Sequence, residues 1–165
     1  MQGQNVALEV FVARQPIFHP DQTVHGYELL FRSSRENRFD GTDPDTATLE
    51  VLTNTFTAIG LEDLTDGRWA FVNFSETLLQ RDIPRLLPRD AVTIEILETV
   101  EPTPDVRQAC ELLHALGYRL AVDDFVGLDP RAELLDLADV VKVDFGRVVP
   151  AEREGVCRKH VEGGL

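Results

Sequence analysis

Four polar residues recur near the ends of successive apolar runs. They are Asn73 in Phe71-Val72-Asn73-Phe74-Ser75, Glu95 in Val92-Thr93-Ile94-Glu95-Ile96, Asp123 in Leu120-Ala121-Val122-Asp123-Asp124, and Lys142 in Val140-Val141-Lys142-Val143-Asp144. Glu28 sits within another such run, Tyr27-Glu28-Leu29-Leu30-Phe31-Arg32, where a carboxylate among large apolar side chains requires a partner, either Arg32 or a metal ion. Glu28, Asn73, Glu95, Asp123 and Asp124 offer only hard oxygen donors, with no histidine or cysteine among them. That set suits Mg²⁺ or Mn²⁺ far better than zinc or copper. A divalent ion held this way activates water and clamps a phosphoryl oxygen, and Lys142 adds a fixed positive charge where negative charge develops. Asp123 and Asp124 pose a geometric problem, because successive strand residues point to opposite faces. Both reach one site only if the strand ends at Asp123 and the chain turns there.

The elements that must position these groups read as β-α units. Parallel strands covered by helices are buried on both faces, so they appear as apolar runs that tolerate polar groups mainly at their carboxyl ends. In α/β barrels that edge carries the chemistry. Helix starts are marked by Thr42 or Asp43 before Pro44, Thr103 before Pro104, and Asp129 before Pro130. Gly60 and Gly117 sit where left-handed caps would close helices. Leu49, Leu52, Phe56 and Ile59 form one apolar stripe, and Val106, Ala109, Leu113 and Leu116 another, both packing surfaces. Val10–Ala13 and Val24–Phe31 differ. The turn-rich stretch His19-Pro20-Asp21-Gln22 lies between them in a gap too short for a helix, which predicts an antiparallel hairpin.

A length of 165 residues and an apolar share of 43% predict one folded domain, over residues 1–150, with 151–165 a tail or the start of a next helix. With no apolar run long enough to span a bilayer, the expectation is a cytoplasmic protein without a signal peptide or membrane association. The net charge of −13 argues against binding a nucleic-acid polymer. Cys110 and Cys157 have no metal-ligand spacing, and Cys110 lies on an apolar stripe as a core thiol. His19, His25, His114 and His160 likewise show no ligand spacing. Asp136, Asp139 and Asp144 read as caps or solvated acids, and Trp69 as a core or barrel-rim aromatic. Taken singly, Glu28 with Arg32 has a lesser reading as a structural ion pair, while Asn73 reads more often as a strand-end turn residue and Lys142 as a charge at a barrel mouth. Their joint order raises the site above those readings.

Taken in order, the segments resemble the EAL domains, which hydrolyse the bacterial second messenger cyclic di-GMP to linear pGpG on a modified (β/α)₈ barrel. Glu28-Leu29-Leu30-Phe31-Arg32 matches the naming motif with Leu29 in place of alanine. Val72-Asn73-Phe74-Ser75, Glu95-Ile96-Leu97-Glu98, Asp123-Asp124-Phe125 and Val141-Lys142-Val143-Asp144 follow at family spacing, over roughly residues 10–148. Val12–Phe18 together with Gly26–Arg32 is similar to the EAL–HDOD subfamily, in which a modified HD-type domain follows. The resemblance implies metal ligation by Glu28, Asn73, Glu95 and Asp123, and a second-metal role for Asp124. It implies that Lys142 contacts the nucleophilic water and that Glu98 holds the loop after the Asp-Asp strand, supporting metal and dimer geometry. Substrate binding falls to Arg32, at a phosphate, and to Leu30 within the same motif.

The chain also departs from the family pattern. Phe125-Val126-Gly127-Leu128 stands where the family reads Phe-Gly-Thr-Gly, and about six of the eight barrel strands are accounted for. The expectation is therefore an incomplete (β/α)₈ barrel of EAL type, its first two strands an antiparallel hairpin. Its open edge near Val140–Asp144 is expected to pair in a homodimer. Three functions remain in view: a metal-dependent cyclic di-GMP phosphodiesterase, a binding module without turnover, and a protein-contact scaffold. The retained acids favour the first two.

Overall fold

The computed structural model describes residues 11–32, 45, 49, 52, 60–126, 129–144 and 146–151, with Phe11, Phe31 and Arg32 described by backbone alone. The chain divides into two compact units, Met1–Arg68 and Trp69–Leu165.

In the first unit, β1 (Phe11–Phe18) and β2 (Val24–Arg32) pair antiparallel, as the short connection predicts. The turn closes through His19 N–H to Thr23 O at 2.8 Å and Gln22 N–H to His19 O at 2.9 Å, with Gln22 at φ 67°. The His19 and His25 rings meet edge to face across it, Nε2 and Nδ1 lying 3.1 Å apart. Asp45, Leu49 and Leu52 are helical, and Leu52 is buried, whereas Phe56 and Ile59 lie outside the described residues. Gly60 at φ 87° leads into a short helix, α1 (Leu61–Thr65), so its left-handed backbone serves a helix start. Asp66 ties that helix to the hairpin by accepting from Arg14 and from the Tyr27 hydroxyl, each at 3.0 Å. Arg14 also stacks over the Tyr27 ring at 4.5 Å.

The second unit is built on a parallel ladder of β3 (Trp69–Phe74), β4 (Val92–Ile96), β5 (Arg119–Phe125) and β6 (Val140–Val143). Pleating puts Phe71 and Asn73, Thr93 and Glu95, Ala121 and Asp123, Val140 and Lys142 on one face. The other face carries Val72, Ile94, Ile96, Leu120 and Val122, all essentially inaccessible. Helix α2 (Glu76–Gln80) and helix α3 (Pro104–Ala115) supply apolar residues for it. Leu78 and Leu79 of α2 and Val106, Cys110 and Leu113 of α3 are buried, and α3 contacts β5. Desolvation pushes the Cys110 thiol up to about 11, the behaviour of an inert core group.

Helix α3 begins and ends as its sequence predicts. The Thr103 hydroxyl accepts from Val106 N–H at 3.3 Å, with Pro104 in the first turn. At the other end Gly117 N–H bonds His114 O at 2.9 Å and Tyr118 N–H bonds Leu113 O at 3.0 Å, a Schellman closure. The connection between β3 and β4 holds two short turns of helix that the apolar pattern does not predict, α2 and a 3₁₀ turn over Ile83–Leu86. Asp129 and Pro130 open another 3₁₀ segment, Pro130–Leu134. Trp69 is a half-buried rim aromatic with Arg119 stacked over it at 4.5 Å. All four residues of β6 are half-buried, in contrast to the fully buried β4, as fits a strand at the edge of the ladder.

Gly117 sits at φ 85°, and no atom lies within 4 Å of the place a methyl group would take, so only backbone strain opposes a side chain there. Gly117→Ala is expected to destabilise by about 1 kcal/mol, and Gly117→Asn by clearly less, as measured from urea denaturation midpoints.

Candidate functional site

Asn73 and Glu95 are direct partners across β3 and β4, so their side chains stand side by side at the carboxyl end of the ladder. Glu95 is fully buried. Leaving that carboxylate without a cation would be costly. Lys142 supplies the charge: its Nζ lies 2.8 Å from Glu95 Oε1 and 2.8 Å from Asp123 Oδ1. One ammonium thus joins β4, β5 and β6 on the polar face.

The adjacent aspartates reach this site by a different route from the one expected. Strand β5 does not end at Asp123 but continues to Phe125. Val122 pairs with Val141 and Phe125 with Val143, so Asp123 and Asp124 together oppose the single residue Lys142. This is a two-for-one bulge, with Asp124 in the left-handed region at φ 46°. Aspartate is among the few residue types that tolerate this conformation. The bulge cancels the alternation of the pleat, and carboxylate oxygens of Asp123, Asp124 and Glu98 all lie within 4.8 Å of one another. A cluster of oxygen donors this tight has the chemistry of a hard divalent-cation site. Burial, and then the negative charges of Asp123, Asp144 and Glu98, hold the Asp124 carboxyl above its ordinary 3.8, against the opposing effect of Lys142.

A second charged pair, not singled out from the sequence except as a cap, underlies the site. Asp129 and Arg131 are both buried, with Arg131 only 2% exposed. The guanidinium donates to Asp129 Oδ1 at 3.0 Å and Oδ2 at 2.6 Å, to Ile96 O at 3.1 Å and to Asp123 O at 2.6 Å. A cleft of about 370 Å³ beside Glu98 is lined by Pro102, Asp129, Pro130 and Arg131 among others. Nothing in the local sequence separates a buried arginine here from a solvated one; the nearest signal is the Asp-Pro-Arg run itself.

Of the remaining predicted residues, Glu28 is half-buried on β2 in register with Gln15, and Leu30 is half-buried on the same strand. The backbone of Arg32 pairs with Phe11, and its side chain lies outside the described residues. Asp139, Asp136 and Asp144, which read as caps or solvated acids, each hold a polar partner. Asp139 Oδ2 accepts from Leu120 N–H at 2.9 Å, Asp136 pairs with Arg107 at 2.8 Å, and Asp144 Oδ1 accepts from Gly146 N–H at 2.8 Å.

No protein-family model matches the chain. Two curated proteins are similar to it: Bacillus subtilis YuxH, 39% identical over 163 residues, 96% of this chain and 40% of that protein, and the Vibrio cholerae cyclic di-GMP phosphodiesterase CdgJ, 38% identical over 136 residues, 82% of this chain and 32% of that protein. Among solved structures, Bacillus subtilis YkuI, a protein with an EAL domain in complex with cyclic di-GMP and calcium, aligns with a TM-score of 0.60 at 23% identity, over 91% of this chain and 44% of that one. The fold is therefore the α/β barrel-like fold of EAL domains, here with six strands among the described residues, of which the first two are antiparallel. Over most of its length the chain is similar to a cyclic di-GMP phosphodiesterase and shares its fold with EAL-domain proteins. It spans about two fifths or less of the length of the curated relatives it matches.

Two substitutions probe the electrostatics. Lys142→Met removes the cation beside the buried Glu95 and is expected to cost about 3 kcal/mol at neutral pH, read from urea denaturation without added metal. A loss below about 1 kcal/mol would mean that Lys142 does not neutralise Glu95. Asp124→Asn should raise the melting temperature of the metal-free chain at pH 7 by a few degrees or less, because asparagine tolerates the backbone and removes a crowded charge. The folded-state proton affinity of Asp124 is raised, so its penalty is present above the raised value and disappears as pH falls to about 3.8. Melting curves of both proteins from pH 7 downward should converge there.

Proposed function

We propose that the chain is part of a cyclic di-GMP signalling domain in which Glu28, Asn73, Glu95 and Asp123 hold Mg²⁺ or Mn²⁺, with Asp124 and Glu98 at the edge of the same site. The observation that carries this reading is the bulge that brings Asp123 and Asp124 onto one side, with Glu98 within 4.8 Å. Support comes also from the 38% identity to a cyclic di-GMP phosphodiesterase and from the absence of histidine or cysteine in the set. A bound divalent ion supplies charge for a phosphoryl oxygen and lowers the pKa of a water.

Hydrolysis would join a water oxygen to one phosphorus and break its bond to the ribose 3′ oxygen, opening the ring to pGpG. Asp124, whose carboxylate lies within 4.8 Å of those of Asp123 and Glu98, would take the water's proton and pass it to the leaving 3′ oxygen. Lys142 steadies the charge that builds on the attacking side, and Arg32 and Leu30 contact the nucleotide. A second reading, binding without turnover, is favoured by the double ion pair of Lys142, which already engages two of the acids.

The match of Val12–Phe18 and Gly26–Arg32 to the EAL–HDOD pattern supports an HDOD domain as the signalling partner in the same polypeptide, and the half-exposed β6 supports homodimer formation along that edge. No helix among the described residues is long and apolar enough to cross a membrane, and a cytoplasmic setting fits the second messenger.

Calorimetry with cyclic di-GMP and Mn²⁺ should show divalent-dependent binding that is lost in Glu95→Gln, and chromatography should show conversion to pGpG slowly or not at all. Metal-independent binding, or none, would overturn the reading; fast conversion abolished by Glu28→Ala would decide for the enzyme over the binder.

A further inference from the structure

The Asp129–Arg131 pair lies behind the carboxylates and has no place in the chemistry above. Buried ion pairs are often no more stabilising than apolar residues of similar size, so stability alone does not account for one here. The partners of Arg131 offer a more specific account. Its Nη1 reaches the carbonyl of Ile96, which follows Glu95 at the end of β4, and the carbonyl of Asp123, the first residue of the bulge. Its Nε and Nη2 close a two-point fork on Asp129, whose Oδ1 also accepts the Arg131 backbone N–H at 2.8 Å. A bulge frees backbone groups from the ladder, and a free carbonyl in a buried setting must find a donor. Arg131 provides it, and the same guanidinium fixes the spacing between the ends of β4 and β5.

We propose that Asp129–Arg131 is the positioning element of the site: it locks the bulge so that Asp123 and Asp124 face Glu98, and thereby sets the affinity of the carboxylates for a divalent cation. The second half of the proposal rests on the metal reading given under Proposed function; the first half does not. Lysine cannot replace the arginine, because one ammonium cannot span two strand-end carbonyls and grip both oxygens of Asp129.

The test uses the double variant Asp129→Leu/Arg131→Met, which removes both charges together and avoids leaving either one buried alone, with Arg131→Lys as the milder companion. Mn²⁺ affinity is followed by paramagnetic resonance of the free ion, melting temperature by calorimetry, and backbone amide exchange over Asp123–Val126 by mass spectrometry, with α3 as the internal control. The expected result is Mn²⁺ binding weakened about tenfold or more, the scale for residues standing behind a ligand, and faster exchange over Asp123–Val126. Exchange in α3 should stay as it is in the unchanged protein. A merely structural role would lower melting and speed exchange throughout, leaving affinity intact once the protein is folded. Unchanged affinity and unchanged local exchange in a folded variant overturn the proposal. If the unchanged protein itself binds no Mn²⁺, the metal reading fails, and the exchange result alone decides whether the pair positions the bulge. Should the double variant not fold, the same two measurements on Arg131→Lys decide in the same way.

Discussion

The burial of Glu95 is the constraint on which the site depends. A fully enclosed carboxylate needs a counter-charge at contact distance, and its own strand provides none. Lys142 comes from β6, which does not touch β4 in the ladder, so the pairing of β5 with both is what delivers the ammonium. Because Asp123 shares that ammonium, the end of β5 is drawn into the same electrostatic arrangement. A divalent cation offers a stronger counter-charge to the same oxygens.

Backbone geometry does the rest. Side chains of adjacent strand residues diverge, and only an interruption of the ladder lets Asp123 and Asp124 act together. That interruption creates its own demand for a donor, met by Arg131 from the segment that follows. The acids, the bulge and the buried pair form one chain of requirements, each arising from the physical cost of the one before.

Much of this was legible in the sequence. The hairpin followed from a gap too short for a helix, and α3 from Thr103-Pro104 at one end and Gly117 at the other, because capping chemistry is local. The positions of Asn73, Glu95 and Lys142 on one face followed from the apolar runs around them. The bulge was not legible as such: the sequence posed the problem of two neighbouring aspartates, and a chain turn was the simpler answer. Arg131 was invisible because its burial depends on carbonyls from β4 and β5, which are 35 and 8 residues away. The helical turns at Glu76–Gln80 and Ile83–Leu86 are too short to show a period, so composition could not reveal them.

The bulge has a consequence for how such a site changes over time. Phe125 pairs with Val143 and so returns to the face of Val122 and Val141, the face it would have occupied had Asp123 been followed directly by it. Asp124 is in effect an inserted residue, accommodated without altering the phase of anything after it. The second carboxylate can therefore be gained or lost by a single-codon insertion or deletion while every later strand keeps its facing. The pairing register after the bulge is the same in both versions, so one codon separates them.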